Sequence, residues 1–108
     1  MNHYIVVLIT TKNQIEARKI ANGLLREQLI ACANILPGVG SLFSWQGKID
    51  KGNEALMIIK TKRKLFEKVV SKVKLLHSYK TPEIIALPMV AGSWDYLKWI
   101  DETVKKST

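Results

Sequence analysis

The sequence YIVVLITTKNQIEARKIANGLL, residues 4–25, changes its apolar period part-way along. Its first part, Tyr4 to Ile9, is apolar on both alternating faces and rich in β-branched residues, which predicts a central strand covered on both sides. From Asn13 the apolar residues follow helical spacing, and Asn13 with Glu16 three positions on is typical of a capping box. We therefore expect a buried strand that ends at the two following threonines, and then an amphipathic helix with Glu16 and Gly23 on its solvent face.

The rest of the chain continues this alternation of strands and helices. Its predicted elements are a second strand at residues 31–45, a third at 55–59, a second helix at 64–77, a fourth strand at 84–87 and a last helix capped by Ser93. The second strand should bend at Pro37-Gly38, because proline cannot donate to a strand ladder, and should form a hairpin with the third. The order β-α-β-β-α-β plus a C-terminal helix predicts an α+β domain of the ferredoxin-like split βαβ type.

Length and composition place the chain among single-domain globular proteins. At 108 residues we expect one domain, residues 1–108, since a second core would be too small to stand alone. The longest apolar run is far shorter than a membrane span and lacks the flanks of a signal peptide, so we expect no membrane partner and a cytoplasmic location. Cys32 is the only cysteine, which excludes an intrachain disulfide and fits a reducing compartment.

The net charge of +8 fits either an anionic partner or ordinary solubilising charge. The basic residues are mostly lysines interleaved with acids on predicted helix faces, whereas arginine is the usual residue for bidentate phosphate contacts. RNA binding on a sheet of this type also requires aromatic side chains on the central strands, and residues 5–9 and 55–59 contain none. We therefore expect mostly solvated charge and no nucleic acid partner.

Several large apolar residues stand where a single subunit would not cover them. The hairpin between residues 38 and 53 carries Phe43, Trp45 and Ile49 beyond the length that the other strands require, and Trp94 and Trp99 are similarly placed. Exposed apolar surface and a long strand edge favour association. The sequence therefore predicts an oligomer.

Cys32 and His77 are the first candidates for chemistry. A lone cysteine is most often a small buried hydrophobe, and the alternative is a soft metal ligand or a nucleophile. His77 ends the second predicted helix, where a histidine interacts favourably with the helix dipole and less often binds a metal or carries a proton. An enzyme that uses this pair ranks last among the possible functions, because nothing in the sequence demands catalysis.

Glu83 directly follows Pro82 at the entry to an apolar strand, where a carboxylate needs a partner. Lys60, at the end of the third predicted strand, or Tyr79 could supply one. The structural interpretation is a salt bridge or a subunit contact, and the functional interpretation is an anchor in a polar pocket. Both remain open from the sequence alone.

Five blocks of residues together resemble the CutA family of divalent-cation tolerance proteins. They are Ala31-Cys-Ala-Asn34, Ser41-Leu-Phe-Ser-Trp45 with Gly47-Lys48-Ile49, Ile59-Lys-Thr61, His77-Ser-Tyr-Lys-Thr-Pro-Glu-Ile84 and Tyr96-Leu-Lys-Trp99. The resemblance runs nearly end to end. It implies a ferredoxin-like subunit in a homotrimer of the PII type, and a role in the response to copper and other divalent metals. The residues themselves predict a binding and assembly module and not an enzyme.

The resemblance also implies where ligands would bind. In the PII type of trimer small ligands occupy clefts between subunits, which here would be lined by Cys32, Lys60, His77, Tyr79 and Glu83. Of the family's copper ligands only His77 is present, since Ile9 and Leu76 occupy the other places, so the implied metal site is a weak one shared between subunits. No cofactor is required, and copper or another divalent cation is the candidate ligand. The alternative function is a signalling scaffold that binds an unidentified protein partner and has no metal role.

Overall fold

A computed structural model describes residues 3–106 of the chain. Its elements are β1 (Tyr4–Thr11), α1 (Gln14–Arg26), β2 (Cys32–Trp45), β3 (Lys48–Lys62), a 3-10 turn (Arg63–Leu65), α2 (Phe66–Leu76), β4 (Ile84–Pro88) and α3 (Trp94–Thr103). The four strands form one antiparallel sheet in the order β2-β3-β1-β4. This element order and sheet confirm the predicted α+β fold of the ferredoxin-like type.

The β2–β3 hairpin is longer and more regular than the sequence predicts. The predicted third strand begins at residue 55, but β3 begins at Lys48, because Gly52 and Asn53 pair with β2 in register instead of forming a turn. The predicted bend is confirmed, since the register between the two strands shifts at Pro37-Gly38, where Gly38 has φ of 72°. The first strand likewise continues through both threonines that were expected to end it.

Within a single subunit β1 is covered on one face only, and not on both faces as predicted. Its buried residues alternate with half-buried ones, and only the side of Ile5, Val7 and Ile9 packs into the core under α1 and α2. We call the other side of the sheet the open face. Its apolar side chains are Val6, Leu8, Leu36, Leu56, Ile58, Ile85 and Leu87, all half-buried or exposed. An apolar run on both faces of a strand thus identifies two packing surfaces. The helices of this chain cover only one of them.

The start of α1 corrects a second prediction. Asn13 is the N-cap, as expected, and its side chain accepts from the backbone N–H of Glu16 at 2.9 Å. Glu16, however, is buried and not solvent-facing. Its carboxylate accepts a hydrogen bond from the backbone N–H of Lys12, whereas a capping box would have it accept from that of Asn13. Gly23, also expected on the solvent face, lies where α1 contacts α2.

The last helix is held against the end of the sheet by one aspartate. Asp101 accepts from the Tyr4 hydroxyl at 2.8 Å and forms an ion pair with Lys62 at 2.6 Å. Ile100 and Val104 pack into the core beside it. Ser93 occupies the predicted N-cap position of α3 without a side-chain capping bond.

The apolar residues that predicted association are exposed in the single chain. Trp45 is 60% exposed, Ile49 85% and Trp94 71%, while Phe43 and Trp99 are less so. They lie on the hairpin and on α3, beyond the surface that the core helices cover. No helix among residues 3–106 has both the length and the apolar character needed to cross a membrane.

Candidate functional site

His77 lies at the end of α2, and both of its ring nitrogens are engaged. The residue is 8% exposed. Its Nε2 lies 2.8 Å from the carbonyl oxygen of Thr10, and its Nδ1 accepts from the backbone N–H of Tyr79 at 3.0 Å. A carbonyl can only accept, so the ring has the neutral tautomer with its proton on Nε2. His77 therefore joins β1 to the loop that follows α2.

This arrangement does not fit a metal ion at His77. A histidine binds a metal through a nitrogen lone pair, and here Nδ1 uses its lone pair for Tyr79 while Nε2 carries the proton. A metal would have to displace one of these two hydrogen bonds. Within residues 3–106 there is also no group of three His, Cys, Asp or Glu side chains that could hold a metal. The metal role of His77 stays a prediction without geometric support from a single subunit.

Glu16 fixes the same loop from the side of α1. Its carboxylate accepts from the backbone N–H of Ser78 at 2.8 Å and from that of Lys12 at 3.1 Å. Burial on its own would raise the pKa of the Glu16 carboxyl, but the hydrogen bonds from Ser78 and Lys12 outweigh it and lower that pKa. Glu16 therefore binds the loop as a carboxylate. Sequence reasoning missed this role because the capping-box position accounts for a glutamate there without any distant partner.

Tyr79 extends the network to β3. Its hydroxyl donates to the Glu54 carboxylate at 2.7 Å, and its ring lies 4.8 Å from that of His77. Burial, together with the acceptor Glu54, raises the pKa of Tyr79 to about 12. Tyr79, one of the two partners considered for Glu83, therefore binds Glu54 instead within one chain. Glu83 is exposed and, among the described residues, makes no hydrogen bond or ion pair.

A second cluster surrounds Cys32 on the open face. Cys32 and Lys60 are register partners in the β2–β3 ladder, and the Lys60 Nζ lies 3.8 Å from the Cys32 sulfur. The same ammonium group donates to the Asn34 side chain, which also lies 3.8 Å from the sulfur. Tyr96 of α3 adjoins them, and burial with the neighbouring Cys32 raises the pKa of its phenol. Cys32 is thus half-buried among polar groups, unlike the buried hydrophobe that the sequence favoured.

The two clusters lie apart in one chain. Glu54, which binds Tyr79, stands six residues before Lys60 on β3, a distance of about 20 Å along an extended strand. Thr10, which binds His77, pairs with Leu56, about 13 Å along the same strand from the register partner of Cys32. One subunit therefore brings together His77 with Tyr79, and Cys32 with Lys60, but not the five predicted cleft residues. It also does not form a Cys32–His77 pair.

The family model for CutA1 divalent ion tolerance protein matches residues 5–103. The chain belongs to the CutA1 family. A chloroplastic CutA from Arabidopsis thaliana is 42% identical over 94% of this chain, which spans 56% of that relative's length. The divalent-cation tolerance protein CutA of Thermus thermophilus is 45% identical, with 90% of this chain and 94% of the relative covered.

Solved structures of CutA1 proteins have the same fold as this chain. The divalent cation tolerance protein of Thermus thermophilus superposes with a TM-score of 0.92 at 43% identity, over 94% of this chain and 99% of that one. The periplasmic divalent cation tolerance protein of Archaeoglobus fulgidus gives 0.92 at 44% identity, with the same coverage. These relatives contradict the predicted cytoplasmic location, because they are described as chloroplastic or periplasmic.

Proposed function

We propose that the functional unit of this CutA1 protein is a homotrimer closed by the open face of the sheet. The observation that carries this is the apolar character of that face, where Leu8, Ile58 and Leu87 are incompletely buried although they lie on three adjacent strands. The exposed hairpin residues Trp45 and Ile49 supply further apolar surface for a neighbouring subunit. Removing such surface from water is the usual driving force of permanent association.

The matched pair Leu8→Arg and Leu75→Arg tests this assembly. Leu8 lies on the open face, whereas Leu75 is 81% exposed on the outer side of α2. We expect light scattering to show a trimer for the wild type and Leu75→Arg, and a dissociated but folded chain for Leu8→Arg. A monomeric wild type at micromolar concentration would refute the proposal, as would a Leu8→Arg variant that remains trimeric.

We further propose that the trimer functions in the response to divalent cations, with copper as the test case, by binding them between subunits. Membership of a family named for divalent ion tolerance supports this role. Cys32 supplies a thiol that suits copper, and it stands half-buried on the face that a second subunit would cover. Since one described chain offers no three-ligand cluster, the remaining donors would have to come from another subunit, with the free carboxylate of Glu83 as one candidate.

Copper titration of the purified trimer tests this second step. We expect Cys32→Ser to weaken binding at least about tenfold, because a hydroxyl is a poor ligand for a soft metal. The dissociated Leu8→Arg variant should lose binding as well, since it lacks the neighbouring subunit. Equal affinity in wild type and Cys32→Ser would remove Cys32 from the site, and unchanged affinity in His77→Ala would remove His77.

The alternative, a scaffold that binds another protein, is favoured by one observation. Trp94 is 71% exposed at the start of α3, with the Lys98 ammonium 5.5 Å from its ring centroid. Exposed tryptophans are frequent anchors of protein interfaces. A pull-down at physiological salt that recovers the same partner with wild type and Trp94→Ala would exclude this residue as the anchor.

A further inference from the structure

A cavity of about 350 Å³ lies at the end of the sheet where β1 begins and β3 ends. It is lined by four basic side chains, those of His3, Lys62, Arg63 and Lys64. The backbone N–H of Arg63 donates to the carbonyl of His3 at 2.9 Å, which joins the start of β1 to the start of the 3-10 turn. None of the described residues that line this open cavity carries a carboxylate.

One residue of the cavity lining, Lys62, already has an acidic partner. One oxygen of the Asp101 carboxylate contacts the Lys62 ammonium at 2.6 Å, and the other accepts from the Tyr4 hydroxyl at 2.8 Å. The direct side-chain contacts of the Asp101 carboxylate are thus with Lys62 and Tyr4, and not with Arg63 or Lys64. Arg63 and Lys64 are both exposed at the cavity, and neither has an ion-pair partner among residues 3–106.

Two lysines elsewhere on the helices do have acidic partners. Lys72 pairs with Glu27 at 2.6 Å, and Lys98 pairs with Glu102 at 3.3 Å, as expected of a solvated surface with interspersed charges. At the cavity, by contrast, Lys62, Arg63 and Lys64 are consecutive in the chain, and Asp101 pairs with only the first of them. Such a concentration of one sign at a concave site attracts anions and focuses the field there.

We propose that this cavity binds a small, multiply charged oxyanion of the di- or triphosphate class. The planar guanidinium of Arg63 can hold two phosphate oxygens at once, while Lys64 and Lys62 act as point charges on the remaining ones. The volume is near the lower end for ligand pockets, which suits a phosphate chain and not a large apolar ligand. The cavity lining shares no residue with the Cys32 cluster, and the proposal is independent of the proposed response to divalent cations.

Calorimetric titration of the full-length protein with inorganic tripolyphosphate, and separately with ATP, tests the proposal. The key variant is Arg63→Ala with Lys64→Ala, and the matched control is Lys48→Ala with Lys51→Ala, which removes the same charge at the hairpin tip. We expect the cavity variant to bind tripolyphosphate at least about tenfold more weakly, because charged hydrogen bonds are lost, while the control retains its affinity.

The second ligand distinguishes the source of the phosphate. Equal binding of both ligands would support recognition of the phosphate chain itself, and tighter binding of ATP would support a nucleotide. An equal loss of affinity in the cavity variant and the control would overturn the proposal, because net charge alone would then explain binding. The absence of binding to the wild type at millimolar ligand would also overturn it. Circular dichroism and light scattering of the variants confirm that fold and assembly are unchanged.

Discussion

Replacement of Glu16 tests whether the loop after α2 is fixed from α1. The Glu16 carboxylate accepts two backbone N–H groups, those of Ser78 and Lys12, from a position that is only 7% exposed. Hydrogen bonds to a charged group contribute about 1.5 to 3 kcal/mol each, and Glu16→Ala removes both and leaves the two donors to find water. We therefore expect Glu16→Ala to lower the free energy of unfolding by about 3 to 6 kcal/mol. Glu16→Gln keeps one acceptor oxygen and should lose about half as much.

The dependence on pH has a definite sign. The pKa of Glu16 is lower in the folded chain than its ordinary value, so its stabilising effect is complete above the ordinary pKa of a glutamate. That effect is lost as the pH falls through the lowered pKa of the folded state. Because glutamine does not titrate, Glu16→Gln should lose less stability than the wild type over that acidic range.

Urea unfolding at a fixed protein concentration measures both effects, since assembly makes apparent stability depend on concentration. The control is Glu102→Ala, which removes the same charge from an exposed helix position paired only with Lys98. That surface pair should contribute less than about 1 kcal/mol. A Glu16→Ala variant no less stable than Glu102→Ala would refute the reasoning that Glu16 fixes the loop.

Two further substitutions test other parts of the network and of the helix packing. Tyr79→Phe should make the free energy of unfolding depend less on pH in the alkaline range. Because the pKa of Tyr79 is raised to about 12 in the folded chain, its phenol stabilises the fold fully below pH about 10, and this stabilisation is lost as the pH rises towards 12. The same alkaline pH dependence in urea titrations of both proteins would contradict the Tyr79–Glu54 bond. Gly23→Val should lower the free energy of unfolding by about 1 to 3 kcal/mol, because a Cβ at this position would lie 2.8 Å from Leu76 Cδ1. Gly23→Ala should lower the free energy of unfolding by less, since the better helix propensity of alanine offsets about 1 kcal/mol of the cost of the close contact. An alanine variant less stable than the valine variant would contradict this account of the contact.

The candidate site could be predicted only in part. The sequence motifs contain Cys32, Lys60, His77 and Tyr79, and the structure places these residues in two clusters. The motifs do not state which pairs meet. Tyr79 was one of two partners considered for Glu83, yet Tyr79 binds Glu54, 25 residues away. No local pattern marks such a distant carboxylate as the acceptor.

The role of His77 shows the same limit. Its position at a helix end could be predicted from apolar spacing, and the structure confirms it as the C-cap residue. Its ring nitrogens, however, bind Thr10, 67 residues away, and the nearby Tyr79. Whether a histidine has a free nitrogen for a metal depends on these partners, and their approach depends on how α2 packs beside β1.

By itself, the sequence determined the order of strands and helices, the bend at Pro37-Gly38, the N-cap at Asn13 and the family. These features depend on apolar periods and turn residues that act over a few neighbouring positions. Only the tertiary structure decided that one face of β1 is left open, that Glu16 is buried and that His77 uses both nitrogens. The physical reason is that burial and hydrogen-bond partners are set by strand register and helix packing, which bring together residues far apart in the chain.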